Sequence, residues 1–265
     1  MAMLLVWLLL LSLLAAGTNG TNLAPTNVLF AIASKDAVVM SSSSSYSSGR
    51  TTITSSYNYI HAIGCENVDH NNIVSLRTNK LPGKVLVGFS GDISDCDIVL
   101  EALRFQSMDY YNRVGRDMSV KAVASFLRKI LADSLRQRRL RVNILVGGVE
   151  GVSPALYYID STAAMQKVPY AVHGAEFAFV LSTLDRYNRN ELNSGDILPP
   201  PPGNGGFRSA ADGDGLLARQ SVDECLQTVR SCWSSVRKRT VGRLEERQCA
   251  VKYVCAAGCF EGGHV

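Results

Sequence analysis

Histidine and tryptophan are scarce in this sequence and charge is weak: four histidines, two tryptophans and a net charge of +4 in 265 residues. So small a positive excess is no footprint for a nucleic-acid partner. Its densest part, Arg136, Arg138, Arg139 and Arg141, closes a helical pattern. Cations suit that end of the dipole, and the cluster reads as a solvated helix end. None of the seven cysteines forms a CxxC pair and no two histidines stand at zinc spacing, so no metal and no cofactor is expected. Five cysteines fall late, at Cys225, Cys232, Cys249, Cys255 and Cys259. With an odd total they read as buried or unpaired thiols, against a competing reading as a secreted, partly disulfide-bonded tail. Only one long apolar run exists, Met3 to Ala16, and it is too short for a comfortable membrane span. It has the proportions of a signal-peptide core ahead of the small polar stretch GTNGTN, but lacks a basic n-region. Asn19-Gly20-Thr21 is a glycosylation sequon.

From Thr26 the pattern becomes that of a globular domain. VLFAIAS and AVVMS, with Lys35-Asp36 between them, read as two strands joined by a tight turn. Ser41 to Ser56 is serine-rich and reads as loop or strand edge. A further strand pair is expected at Ile73–Leu76 and Lys84–Phe89. Ile98 to Tyr111 carries Val99, Leu103 and Phe105 at helical spacing. Ser119 to Gln137 is cleaner: Val120, Val123, Leu127, Ile130, Leu131 and Leu135 form one stripe behind Ser119 as N-cap. VNILVGGV and PALYYID read as a hairpin. A third helix is expected over Glu176–Tyr187, a surface insertion over 188–220, a fourth helix over Val222–Arg239, and a last strand over Ala250–Val254. Strands, two helices, strands, two helices and a strand suit an α+β, four-layer αββα sandwich, in which the sheets bury each other and a helix pair covers each outer face.

Ser119 to Tyr187, with its LADSLR helix end, VNIL and PALYYID strands and VPYAVHG segment, resembles a proteasome beta subunit of the 20S core particle. The resemblance is to the beta type-2 branch of that family, at the fourth position of the beta ring. Val28–Met40, Asp69–Leu76 and Val222–Val254 agree more weakly. The resemblance implies an N-terminal-nucleophile hydrolase fold. It also implies partners: other beta subunits of the same and the opposite ring, alpha-ring subunits, and unfolded polypeptide in the chamber, with no nucleic acid and no membrane. Cytoplasm and nucleus are the compartments it implies, against the signal-like run.

Active members cut peptides with an N-terminal threonine whose free α-amino group acts as base, supported by a lysine, an aspartate and an oxyanion donor. Counted back from AVVMS, the threonine position falls at Thr26–Asn27, and Thr26 follows Pro25 rather than glycine. Gly17-Thr18 and Gly20-Thr21 offer Gly–Thr bonds, but Thr21 lies too early to abut the strand. The aspartate position falls at about Ser43, the arginine two residues on at about Ser45, and the lysine position near Asn72. Lys80 and Lys84 read as surface lysines. KRTVGRLEER stands where a late Arg-Asp-x-x-Ser-Gly is wanted. Asp69-His70-Asn71-Asn72 reads as turn chemistry, His173 as structural, and Asp92 and Asp95 as helix-capping residues.

The expectation is therefore a non-catalytic structural beta subunit with no catalytic, cofactor or metal residue of its own, contributing to ring assembly and to the chamber for ubiquitin-dependent degradation. Residues 1–25 are expected to be an apolar extension, either signal-like or a mispredicted start. Residues 26–262 form the beta-type domain, with insertions at about 41–69 and 188–220. The alternative is an independent or secreted N-terminal-threonine hydrolase of the same fold, released at a Gly–Thr bond.

Overall fold

The computed structural model describes residues 27–44, 46–48, 51–54, 57–64, 80–81, 83–151, 153–174, 177–188, 216–239 and 249–264. Thirteen strands and four α-helices lie among them. A six-stranded antiparallel sheet has the order β11 (Tyr170–Gly174), β1 (Val28–Ala33), β2 (Ala37–Ser43), β12 (Cys249–Cys255), β13 (Gly258–His264), β6 (Lys80–Leu81). A five-stranded one runs β10 (Met165–Lys167), β9 (Ser153–Ile159), β8 (Val142–Glu150), β7 (Val85–Gly91), β5 (Ile60–Ile63). β3 (Tyr46–Ser48) and β4 (Thr51–Thr54) form a separate hairpin.

Strand alternation divides the apolar residues among three cores. Leu29, Ala31, Val38 and Met40 of the first sheet meet Ile60, Leu86, Leu145 and Leu156 of the second. Gly88 and Gly147 permit the close approach. A Cβ on Gly147 would stand 2.6 Å from Val38 Cγ1, and one on Gly88 2.9 Å from Leu29 Cδ1. The outer face of the second sheet packs on α1 (Ile93–Val114) and α2 (Val120–Ser134) through Val99, Leu103, Val123, Leu127 and Leu131. The outer face of the first packs on α3 (Phe177–Asn188) and α4 (Val222–Arg239) through Val180, Leu184, Val229, Trp233 and Val236. Helices, sheet, sheet, helices is the stacking order expected from the sequence.

The helix starts are built as read. Asp92 caps α1, accepting from Ser94 N at 2.9 Å, and Ser119 caps α2, accepting from Ala122 N at 3.2 Å. Asp95 is buried rather than capping: its carboxylate accepts from Arg138 Nη2 (2.8 Å) and Arg141 N (3.0 Å). The arginine cluster thus ties the α2–β8 connection to the first turn of α1, while Arg139 reaches Ser161 Oγ at 2.9 Å.

Two further expectations fail, and a third falls partly outside the described residues. Ser41–Ser43 is neither loop nor edge but the end of the buried strand β2, between β1 and β12. The Ser41 hydroxyl replaces apolar packing with hydrogen bonds, Trp233 Nε1 donating to it at 2.8 Å and it donating to Ala250 O at 3.0 Å. The strand beside Val85–Gly91 is Ile60–Ile63, in the register Ile60↔Gly88, which takes the place assigned to Ile73–Leu76. One edge slot beside β7 was open to two short alternating segments; residues 73–76 lie outside those described. Phe105 was placed on the core stripe but is 77% exposed, along with Ile98, Met108 and Val114 of the same helix. The buried cysteines behave as small hydrophobes: Cys96 lies under α1, Cys225, Cys232 and Cys249 under α4, and Cys259 between the sheets. Burial pushes the thiols of Cys232 and Cys259 up to about 12 and that of Cys225 to about 11, which keeps them unreactive at neutral pH.

Candidate functional site

The site to test is the start of β1, where the sequence puts the nucleophile position. That position spans Thr26, which lies outside the described residues, and Asn27, which is 1% exposed. Asn27 Nδ2 donates to Phe89 O (3.2 Å) and its Oδ1 accepts from Ser90 Oγ (2.9 Å), both at the C-terminal end of β7. His173 Nδ1 lies 2.9 Å from the same Ser90 oxygen. Because the single hydroxyl proton of Ser90 is committed to Asn27, the network assigns the His173 proton to Nδ1, which donates to Ser90 Oγ. Burial holds the His173 imidazole below its ordinary value, so it is neutral at pH 7. From the neighbouring strand β2, Ser43 Oγ accepts from Val28 N at 3.0 Å.

Strand geometry assembles this cluster. Asn27 precedes Val28–Ala33 on the side of Leu29 and Ala31, both residues of the intersheet core. His173 pairs with Leu29 across β1 and β11, and shares that inward face. Gly174 pairs with Val28 at φ +121° and lets the two backbones close on each other. The stretch ending in VPYAVHG thus delivers His173 to the cluster. As wired, the cluster is a chain of satisfied donors and acceptors. Ser90 is fully buried, its proton points away from the imidazole, and it is no activated nucleophile.

The other candidates lie elsewhere. Lys84 is exposed at the opposite end of β7 from Ser90, roughly 20 Å away at strand rise, and Lys80 lies in β6 beside β13. Thr18, Thr21, Thr26, Ser45, the Asp69–Asn72 cluster and residues 240–247 fall outside the described residues. Among the described residues no group of three or more His, Cys, Asp or Glu could hold a metal ion, and no helix is long and apolar enough to cross a membrane.

Sequence reading missed three residues. Asn58 stands opposite Ser90 when the β5–β7 register is continued by two residues, which Phe89 N donating to Tyr59 O at 2.9 Å supports. Lys252 of β12 is buried and donates to Asn58 Oδ1 (3.3 Å) and Ile60 O (2.8 Å). His61, on β5, packs its ring 6.1 Å from that of Phe89. None carries a local motif; only the pairing of distant strands brings them in.

Burial, reinforced by the positive charges of Arg104 and Lys252, pushes the His61 imidazole down to about 4. An unfolded imidazole takes its proton near 6.5, so between those values the unfolded chain binds more protons. Stability from this group is complete above about pH 6.5 and is lost as the pH falls towards 4. Between pH 7 and pH 5 the expected loss is about 2 kcal/mol. His61→Gln should flatten that part of the curve in urea melts at the two pH values. Equal slopes in both proteins would remove His61 as the cause.

Comparison with known proteins identifies a family. A family model described as "Proteasome subunit" matches residues 71–198. The chain is 38% identical over 119 residues to the probable proteasome subunit beta type-4 of Neurospora crassa, covering 44% of this chain and 59% of that protein. It is 32% identical over 125 residues to proteasome subunit beta type-4 of Saccharomyces cerevisiae, covering 46% and 63%. Against proteasome subunit beta type-2-B of Arabidopsis thaliana it is 31% identical over 183 residues, covering 69% and 75%. It spans about three fifths of the first two relatives and three quarters of the third.

Proposed function

This chain belongs to the proteasome beta-subunit family, and from that premise we propose that it is a non-catalytic, structural beta subunit of the 20S core. The observation that carries the reading is Asn27 at the start of β1. A carboxamide has no lone pair nucleophilic at neutral pH, and this one has its nitrogen donating to Phe89 O and its oxygen accepting from Ser90. A free α-amino group at residue 27 would therefore have no hydroxyl to activate. Ser43, in the expected aspartate position, supplies a neutral hydroxyl to Val28 N instead of a carboxylate. The layer order suits the N-terminal-nucleophile hydrolase type.

In this role the chain wedges between neighbouring beta subunits, faces the opposite beta ring and the alpha ring, and walls the chamber that receives unfolded polypeptide, in cytoplasm and nucleus. The apolar side chains that α1 leaves outside, Ile98, Phe105, Met108 and Val114, are the kind of surface that assembly covers.

The test is native mass spectrometry of the full-length chain recovered from its own cells, after treatment with an electrophile that captures N-terminal threonines. The chain should appear in a large particle beside alpha and beta subunits, with its own mass unchanged while catalytic neighbours carry the adduct. An adduct on this chain, or recovery only as a small species that hydrolyses peptides, would overturn the reading.

A further inference from the structure

Two polar links cross the space between the sheets. One is the Asn27–Ser90–His173 chain. The other is Lys252, set opposite Met40 on the inward face of β12 and 8% exposed. An ammonium persists there only if its protons find acceptors. Ile60 O takes one at 2.8 Å, Asn58 Oδ1 another at 3.3 Å, and the Glu261 carboxylate of β13 lies 4.0 Å away.

Both hydrogen bonds end on one short stretch of the other sheet, about 190 residues away in sequence. That stretch leads into β5, which among the described residues stands last in its sheet, beside β7. Asn58 is itself organised for the role: the oxygen that receives Lys252 also accepts from Ile60 N at 3.3 Å, closing the start of the strand. Between the two acceptors sits Tyr59, whose carbonyl accepts from Phe89 N, and Phe89 O in turn accepts from Asn27 Nδ2.

We infer that Lys252 is a positioning residue, a latch from the first sheet that holds the edge strand of the second and, through it, the Phe89 backbone on which Asn27 is seated. The inference does not depend on whether the subunit is catalytic. Burial draws the ammonium below its ordinary value while Glu261 opposes the shift, as fits a charge kept inside for its hydrogen bonds.

Hydrogen exchange read by mass spectrometry on the full-length chain tests it. Lys252→Met keeps the stem and removes the donors. Amides of Ile60–Ile63 should then exchange at least tenfold faster, with the β8–β9 hairpin unchanged. Asn58→Ala removes one acceptor and should give a smaller acceleration in the same peptide. Asn58→Asp keeps the acceptor and adds an opposite charge, so its β5 should exchange no faster than wild type. A Lys252→Met protein that opens both sheets alike, or leaves β5 unchanged, would overturn the latch. So would Asn58→Asp loosening β5 as much as Asn58→Ala, a comparison that stands even where Lys252→Met does not fold.

Discussion

Trp233→Ala should destabilise the chain by about 3–5 kcal/mol, the range for truncating a large buried aromatic. Trp233 is the largest fully buried side chain among the described residues and joins three elements, one helix and two strands of the first sheet, at once. Its ring lies 5.6 Å from that of Phe30 on β1, its flanks pack with Val229 and Val236 on α4, and its indole N–H donates to Ser41 Oγ on β2. Alanine leaves a cavity between helix and sheet and strips Ser41 of a donor inside a strand already short of apolar packing. Trp233→Phe separates the two losses, since it keeps most of the volume and discards only the hydrogen bond, at about 1 kcal/mol. Urea melts of the three proteins should rank wild type, Phe, then Ala, with the larger gap between the last two. Phe and Ala variants of equal stability would mean that the ring fills no space the fold depends on.

The same region shows what the sequence disclosed and what it hid. Helix α4 was legible to its ends, because Val229, Trp233 and Val236 stand at helical spacing between polar faces. The composition of its buried stripe was not, since Cys225 and Cys232 take inner positions while Val222 and Leu226 stay half-buried. The serine end of β2 was unreadable for a physical reason. Serine has no β preference, and these residues form a strand only because β1 and β12 flank them and Trp233 and Val28 use the hydroxyls of Ser41 and Ser43. β13 escaped for a similar reason: its Gly, Cys, Glu and His residues form a strand only by pairing with β12.

At the site, counting along β1 and β2 puts the nucleophile position at Thr26–Asn27 and the aspartate position at about Ser43, whose Oγ accepts from Val28 N at the start of β1. The chemistry around it was out of reach. Asn27, Ser90 and His173 are 63 and 83 residues apart along the links that join them, on three strands of two sheets. Lys252 reaches β5 over an even longer separation. Patterns of period 2 or 3.6 report which face a residue takes, not which distant strand will lie against it. The family's lysine position, placed near Asn72, lies outside the described residues, while the residue opposite Ser90 by register is Asn58, which no local pattern pointed to.

Gly174→Ala should strike the site and the fold together. Gly174 holds φ at +121°, where L-residues are strained by about 1–3 kcal/mol, and a Cβ there would sit 1.9 Å from Asn27 O and 3.0 Å from Val28 Cα. Those are backbone atoms, so no side chain can turn aside to make room. Relief requires β11 to part from β1 at the Val28↔Gly174 pair, which moves Asn27 off Phe89 O and Ser90 and leaves buried polar groups unpaired, at about 1–3 kcal/mol more. Gly115→Ala is the matched control. Gly115 also has a positive φ, +72°, at the C-cap of α1, yet nothing lies within 4 Å of its absent Cβ, so alanine there costs only the left-handed penalty of about 1 kcal/mol. Urea melts should show Gly174→Ala losing at least twice as much as Gly115→Ala, and faster amide exchange in β1 and β11 should accompany only the former. Equal losses would mean that the contact between the strand ends carries no weight, and that Asn27 is held by its side-chain hydrogen bonds alone.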